Sequence, residues 1–331
     1  MILPESNASR YNITSVDFAD LLNISRQSVQ QILQKYEAER SNVLPSKVRR
    51  PVLISPATTK KILEERGYKF QKKAIAFQLL KGGVGKTSLA KNFGIRAAQY
   101  GYNVLFVDID HQANLTSAMG AYSQHSKSLI DWIDNKVPSM SDLIIPIAEN
   151  ISIIPSTIRN ADLAEQIQRG NRNILTLFSS QFSELKKTYD LIICDCPPAI
   201  GAHIAAIYFA VDTLIAPVVP DEYSDEGLQE MFSIWKRLGT EFSKDINIKI
   251  LINKHDARVK ASSEKVLSLM SQYKDFMYPL YIRYSSDFLT ATNLKKTLWE
   301  LGRSSGTASE DVDMVVRYEL SLEMNNNIKN N

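Results

Sequence analysis

From residue 73 to the carboxyl end, short apolar runs alternate with longer stretches whose apolar positions recur at helical spacing. The runs at 73–80, 103–109, 151–154, 190–195, 213–219 and 247–253 read as strands. Helices are predicted after Lys86 and at 171–187, 199–209, 225–238, 261–273 and 308–323. A strand that is apolar throughout, not just at every second position, is one buried on both faces. The expected fold class is therefore α/β, a mostly parallel sheet with helices on both faces. In such sheets ligands bind just beyond the carboxyl ends of the strands.

The amino-terminal segment is patterned differently. "SVDFADLLNISRQSVQQILQ", residues 15–34, predicts two short helices around a tight turn, with Phe18, Leu22, Ile24, Val29 and Ile32 apolar. Ala19 is small enough for two helices to cross there. Asn23 tolerates the left-handed backbone that ends a helix, and Ser25 can cap the next one. This spacing resembles the helix-turn-helix motif, whose second helix enters the DNA major groove. The exposed face of that helix would carry Arg26, Gln27, Gln30, Gln31 and Gln34. Arg can pair bidentately with guanine and Gln with adenine. An ordinary helical hairpin with a solvated polar face has the same pattern. Residues 41–55 read as a linker with the basic cluster Lys47, Arg49 and Arg50, and "PATTKKILEERG" as a helix opened by Pro56 and stopped by Gly67. The expected organisation is a helix-turn-helix region over 1–45, a linker and connecting helix over 46–72, and the α/β domain over 73–331.

Charge supports this division. The net charge is only +3, yet residues 1–70 hold 11 Lys and Arg against 7 Asp and Glu, leaving 28 against 29 for the rest. A basic excess confined to the amino-terminal fifth favours nucleic acid as its partner. A hydrophobic fraction of 44% supports a sizeable core. No run approaches a membrane span of about 20 apolar residues, and the first residues lack a signal-peptide pattern. The two cysteines, Cys194 and Cys196, are expected to be buried and reduced, with strand alternation keeping them from pairing or sharing a metal. A cytoplasmic protein is expected.

The chemistry lies in "LLKGGVGKTS", residues 79–88. It approaches the G-x-x-x-x-G-K-[ST] phosphate loop, but Leu80 stands in the slot of the leading glycine and is expected to complete the buried strand. Gly82, Gly83 and Gly85, with Val84 between, let the backbone curl around phosphate at a helix amino-terminus. Lys86 would reach the phosphates, and Thr87 would offer a hydroxyl to Mg²⁺. "NVLFVDIDHQAN" ends a buried strand with Asp108 and Asp110, and "YDLIICDCPP" ends another with Asp195. Strand-end aspartates alone are often helix caps. Two such acidic strand ends downstream of a phosphate loop suggest magnesium and catalytic positions.

Together these motifs resemble the deviant Walker A ATPases, the ParA/MinD superfamily, and within it ParA-type partition ATPases of the longer type with an amino-terminal helix-turn-helix. "KGGVGKTS" matches the K-G-G-x-G-K-[ST] form, "VDIDHQAN" the second motif and "LIICDCPP" the third, while "PVVPDEYSDEGLQEM" and "INKHDAR" resemble later segments. The resemblance runs from about residue 73 to the end, and Ser88 stands where the family often has threonine. It implies a P-loop NTPase-like fold, ATP and Mg²⁺ as cofactors, and slow hydrolysis. It implies that Gly85, Lys86, Thr87 and Ser88 bind the nucleotide, and that Asp195 holds a Mg²⁺-bound water. Asp110 would position the attacking water. Lys81 would cross an ATP-sandwich homodimer to the partner's nucleotide. Asn253 is implied at the adenine and Arg258 in nonspecific DNA binding. Expected partners are operator DNA, nonspecific nucleoid DNA and a ParB-like centromere-binding protein, with repression of the chain's own operon and nucleoid-associated localisation.

Membrane-binding relatives end in a basic amphipathic helix. Residues 310–323 instead carry five acids against Arg317, which would repel anionic lipid. Val312, Val315, Val316, Leu320 and Met324 suit a helix packed on the core. Metal-cluster relatives need exposed cysteines, which the strand pattern does not provide. A repressor that binds ATP with negligible turnover stays open as an alternative.

Overall fold

The computed structural model describes residues 10–36, 52–122, 127–245, 247–302 and 306–322. At its centre lies β3 (Lys73–Phe77), hydrogen-bonded on one side to β7 (Leu191–Asp195) and on the other to β8 (Thr213–Val218). Beyond β7 come β4 (Val104–Asp108), β6 (Ile151–Ile154) and β5 (Ile145–Ala148). Beyond β8 come β9 (Ile248–His255) and β10 (Met277–Arg283). All pairings in this eight-stranded sheet are parallel except β5 with β6. Successive residues of β3 enter opposite cores: Ile75 and Phe77 one, Ala74 and Ala76 the other. A sheet buried on both faces thus follows from apolar residues at every strand position.

The six expected strands form. The two edge strands, "IPIA" and "MYPLYIR", were not expected. Each holds a proline and is half exposed, so neither reads as a continuous apolar run. The strand expected over 73–80 ends at Phe77, and Leu80 lies in the following loop, partly buried. Cys194 and Cys196 are free and buried as expected, but alternation does not part them. Both enter the same core, with Asp195 between them facing the other way.

The amino-terminal elements are β1 (Ile13–Thr14), α1 (Ser15–Leu22), α2 (Arg26–Gln34), β2 (Leu53–Ile54) and α3 (Pro56–Glu65). Asn23 ends α1 at φ 52°, and the Ser25 hydroxyl accepts the Ser28 N–H to cap α2. β1 pairs with β2 antiparallel, tying the two-helix unit to α3. The basic cluster Lys47, Arg49 and Arg50 lies outside the described residues.

This unit packs against the rest of the chain; most of the expected linker lies outside the described residues. Ile13, Phe18, Val29 and Leu63 share one apolar core with Phe93 and Val312 of the nucleotide-binding part. α3 crosses so close to Gly101 (φ 94°) that a Cβ there would stand 2.8 Å from the backbone of Lys60. A buried arginine completes the joint. Arg96, on α4 (Lys86–Gln99), pairs with Asp17 of α1 at 3.3 Å and with Asp313 of α13 (Gly306–Glu319) at 2.5 Å. A buried guanidinium is tolerated only when its donors are matched in this way.

α13 packs on the core through Val312, Val315 and Val316, as its apolar spacing predicts; Met324 lies outside the described residues. Its acids do not form the exposed acidic face expected from sequence. Asp311 holds Arg283, Asp313 holds Arg96 and Arg317, and Glu319 holds Lys73. No helix among the described residues is long and apolar enough to cross a membrane.

Candidate nucleotide site

The loop Gly82–Gly85 connects the carboxyl end of β3 to the first turn of α4. Gly85 caps that helix at φ 90°, and a Cβ there would stand 2.6 Å from Asn253 Nδ2. Only glycine fits both the conformation and the space. A 14-residue helix therefore presents its free amino-terminal N–H groups and positive dipole end beside a glycine loop, which favours phosphate. Lys86 is buried, and its Nζ donates to the Lys81 carbonyl at 3.0 Å. Burial pushes its pKa down, while Asp195, Cys196 and Asp110 oppose that shift.

β4 and β7 pair in register through Asp108 and Asp195, so the two carboxylates emerge side by side at the sheet's carboxyl edge. Neither is exposed. One oxygen of Asp108 accepts the Thr116 N–H at 2.8 Å and hydroxyl at 2.6 Å; the other has no hydrogen-bond partner. Neither oxygen of Asp195 has a hydrogen bond of good geometry, although the Thr87 hydroxyl lies near enough to favour its ionised form. Burial, then the charge of Asp108, pushes Asp195 well above the carboxylate range, with Thr87 and Lys86 offsetting only part. Burial likewise takes Asp108 to about 7.

Three buried carboxylate oxygens without a well-formed hydrogen bond are costly unless something compensates their charge. Together with the half-buried Thr87 hydroxyl they are the oxygen donors a hard cation selects. No group of three or more His, Cys, Asp or Glu among the described residues could hold a metal by itself. Mg²⁺ takes one or two carboxylates and fills its shell with phosphate and water. Asp110 lies two residues past Asp108 and is nearly buried. One of its oxygens accepts the Gln112 N–H at 3.0 Å, and His111 Nδ1 lies 3.7 Å from the carboxylate.

Lys81 points away from its own loop. Its Nζ contacts both oxygens of Asp221, at 2.7 and 2.6 Å, and lies 5.7 Å from the Tyr223 ring centre. Asn253, implied at adenine, is buried, and its amide donates to the Val84 carbonyl at 2.7 Å. Ser88 is half-buried in the first turn of α4. Asp221 and Thr116 were assigned no role from sequence. An acid just after β8 was a usable signal for Asp221, whereas nothing local marks Thr116 as the anchor of Asp108.

The positions proposed to touch DNA lie apart from this site. Arg26, Gln27, Gln30, Gln31 and Gln34 are all exposed on α2, while Val29 and Leu33 turn inward. Arg258 is exposed but forms a two-point pair with Asp256 at 2.8 and 2.7 Å, so phosphate would have to compete for it.

The family model described as "AAA domain" (AAA_31) matches residues 72–249, more than half of the chain. The cell division protein PomZ of Myxococcus xanthus is 28% identical over 243 residues, covering 72% of this chain and 75% of that protein. The virulence plasmid ParA family protein pGP5-D of Chlamydia trachomatis is 30% identical over 212 residues, covering 63% and 79%. An ATP complex of McdA from Cyanothece has the same fold, with a TM-score of 0.69 at 22% identity over 77% of this chain and 98% of that one. With a glycine loop opening α4, two carboxylates at the adjoining strand ends and these relatives, the chain belongs to the ParA/MinD-type partition ATPases of the AAA_31 family.

Proposed function

We propose that the protein is a DNA-segregation ATPase that forms a homodimer on ATP, with Lys81 of each subunit serving the partner's nucleotide. The observation that carries this reading is the direction of Lys81: its ammonium sits on Asp221, outside the loop that Lys86 closes. Engagement in trans then exchanges the Asp221 pair for the partner's phosphates. A cation supplied in trans can accelerate phosphoryl transfer by ~10³–10⁵, so turnover would follow dimerisation. Thr87, Asp195 and the bare oxygen of Asp108 would hold Mg²⁺, which neutralises charge on the β- and γ-phosphates when bound. Gly82 to Gly85 and the first turn of α4 bind phosphate through N–H groups, and Asp110 orients the attacking water from the adjoining loop.

In the same proposal α2 reads an operator through Arg26, Gln27, Gln30 and Gln31, giving autorepression. The surface around Arg258 holds nonspecific DNA, and a ParB-like centromere-binding partner stimulates hydrolysis. The relatives' names and the exposure of the α2 face support this reading. Replacing Asp110 with Ala is expected to abolish ATP hydrolysis while leaving ATP binding in place. Turnover retained by that variant would remove Asp110 from the mechanism. Negligible turnover by the wild type, even with DNA and partner, would favour an ATP-liganded repressor.

A further inference from the structure

β9 carries an irregularity that the sheet does not require. Ile252 faces Tyr281 of β10 and His255 faces Arg283, so three steps along β9 match two along β10. The extra residue falls at Asn253–Lys254, and Lys254 has φ 56°, left-handed backbone that residues other than Gly, Asn and Asp seldom adopt. Bulges of this kind re-aim a side chain and are common beside active sites.

Here the bulge brings the Lys254 ammonium to the phosphate loop, where Nζ donates to the Gly83 carbonyl at 2.8 Å. Beside it, Asn253 donates to the Val84 carbonyl at 2.7 Å and accepts the Lys254 N–H at 3.0 Å, which locks its amide at both ends. In a trans peptide the carbonyl of one residue and the N–H of the next point in opposite directions. Drawing carbonyls 83 and 84 toward β9 therefore turns the N–H groups of Val84 and Gly85 away from it, into the curl of the loop. Gly83 and Gly85, at φ 73° and 90°, have no side chains to hold that orientation themselves. The loop is shaped from outside, by two adjacent residues of a bulged strand.

We infer that Lys254 is a positioning residue for ATP: its ammonium pins the Gly83 peptide, so the loop is set for phosphate before the nucleotide arrives. The effect belongs to binding, not to the chemical step.

The test uses the full-length protein, reading ATP affinity by displacement of a fluorescent ATP analogue and kcat from steady-state hydrolysis. Lys254→Met keeps an unbranched chain one atom shorter and loses the donor. It is expected to weaken ATP binding about 3–10-fold with kcat within about twofold, the range of a typical net hydrogen-bond contribution, the charge being screened at this exposed site. Lys254→Arg restores a cationic donor and is expected to recover most of that affinity. Lys254→Gly fits the left-handed backbone without a donor, so it should bind ATP as weakly as the Met variant while melting no lower than wild type. Unchanged affinity in Lys254→Met, or wild-type affinity in Lys254→Gly, would overturn the inference. So would a loss confined to kcat, or failure of Lys254→Arg to restore binding.

Discussion

His203 shows how burial alone sets a residue's chemistry. Its ring is buried near the start of α9 (Ala202–Ala210), and Nδ1 has no hydrogen-bond partner. Burial, with the charge of His111 adding to it, pushes the imidazole down to about 4. In the unfolded chain the ring takes a proton near pH 6.5. Between those values the unfolded state binds the extra proton, so stability is complete above about pH 6.5 and falls as the pH drops toward 4. This one group then costs about 2–3 kcal/mol at pH 4.5. Urea unfolding of wild type and His203→Gln at pH 7 and pH 4.5 isolates that part, and the variant should lose less stability on acidification by about this amount. Equal losses would mean that the ring is charged or solvated in the native state. No sequence pattern announced this histidine, because its environment is assembled by tertiary packing. Lys86, Thr87, Asp108 and Asp195, by contrast, were legible because each occupies a fixed place at a strand end or loop.

At the scale of elements, legibility followed periodicity. Central strands such as "LIICD" and "TLIAPV" are buried at every position and stand out in the sequence. The edge strands at 145–148 and 277–283 are broken by Pro146 and Pro279 and face solvent on one side, so their signal was too weak. The bulge in β9 has no local signature either: nothing in "ILINKH" marks Lys254 for a left-handed backbone. The two-helix unit was legible from its caps and apolar spacing, and its shared core with the rest of the molecule was not. That shared core decides how the α2 proposal should be tested. Deleting residues 1–40 would uncover core around Phe93 and Arg96, so loss of binding would not isolate α2. Arg26→Ala and Gln30→Ala alter only exposed positions, and each is expected to weaken operator binding by about 1–3 kcal/mol. Binding to unrelated DNA should change little. Footprinting upstream of the chain's own gene, compared with mobility shifts on random duplex, reads both. Equal weakening on both DNAs would make α2 a nonspecific contact, and no change on either would leave it an ordinary solvated hairpin.

Across the whole molecule, α4 connects the regions that the proposal asks to communicate. Its first turn opens the nucleotide site, and Arg96 near its last turn joins α1 and α13. A dimer built on ATP would use the exposed mouth of that site, where Lys81 rests on Asp221. Both partners of this pair are part-exposed, so the attraction is modest and can be exchanged. Asp221→Asn should therefore leave Lys81 free and favour assembly, provided Lys81 acts across the interface. Sedimentation velocity with a slowly hydrolysed ATP analogue and Mg²⁺ tests this central claim most directly, comparing wild type, Lys81→Gln and Asp221→Asn. Nucleotide-dependent dimers are expected for wild type, monomers for Lys81→Gln at unchanged nucleotide affinity, and dimers at lower protein concentration for Asp221→Asn. An intact nucleotide-dependent dimer in Lys81→Gln would contradict that claim.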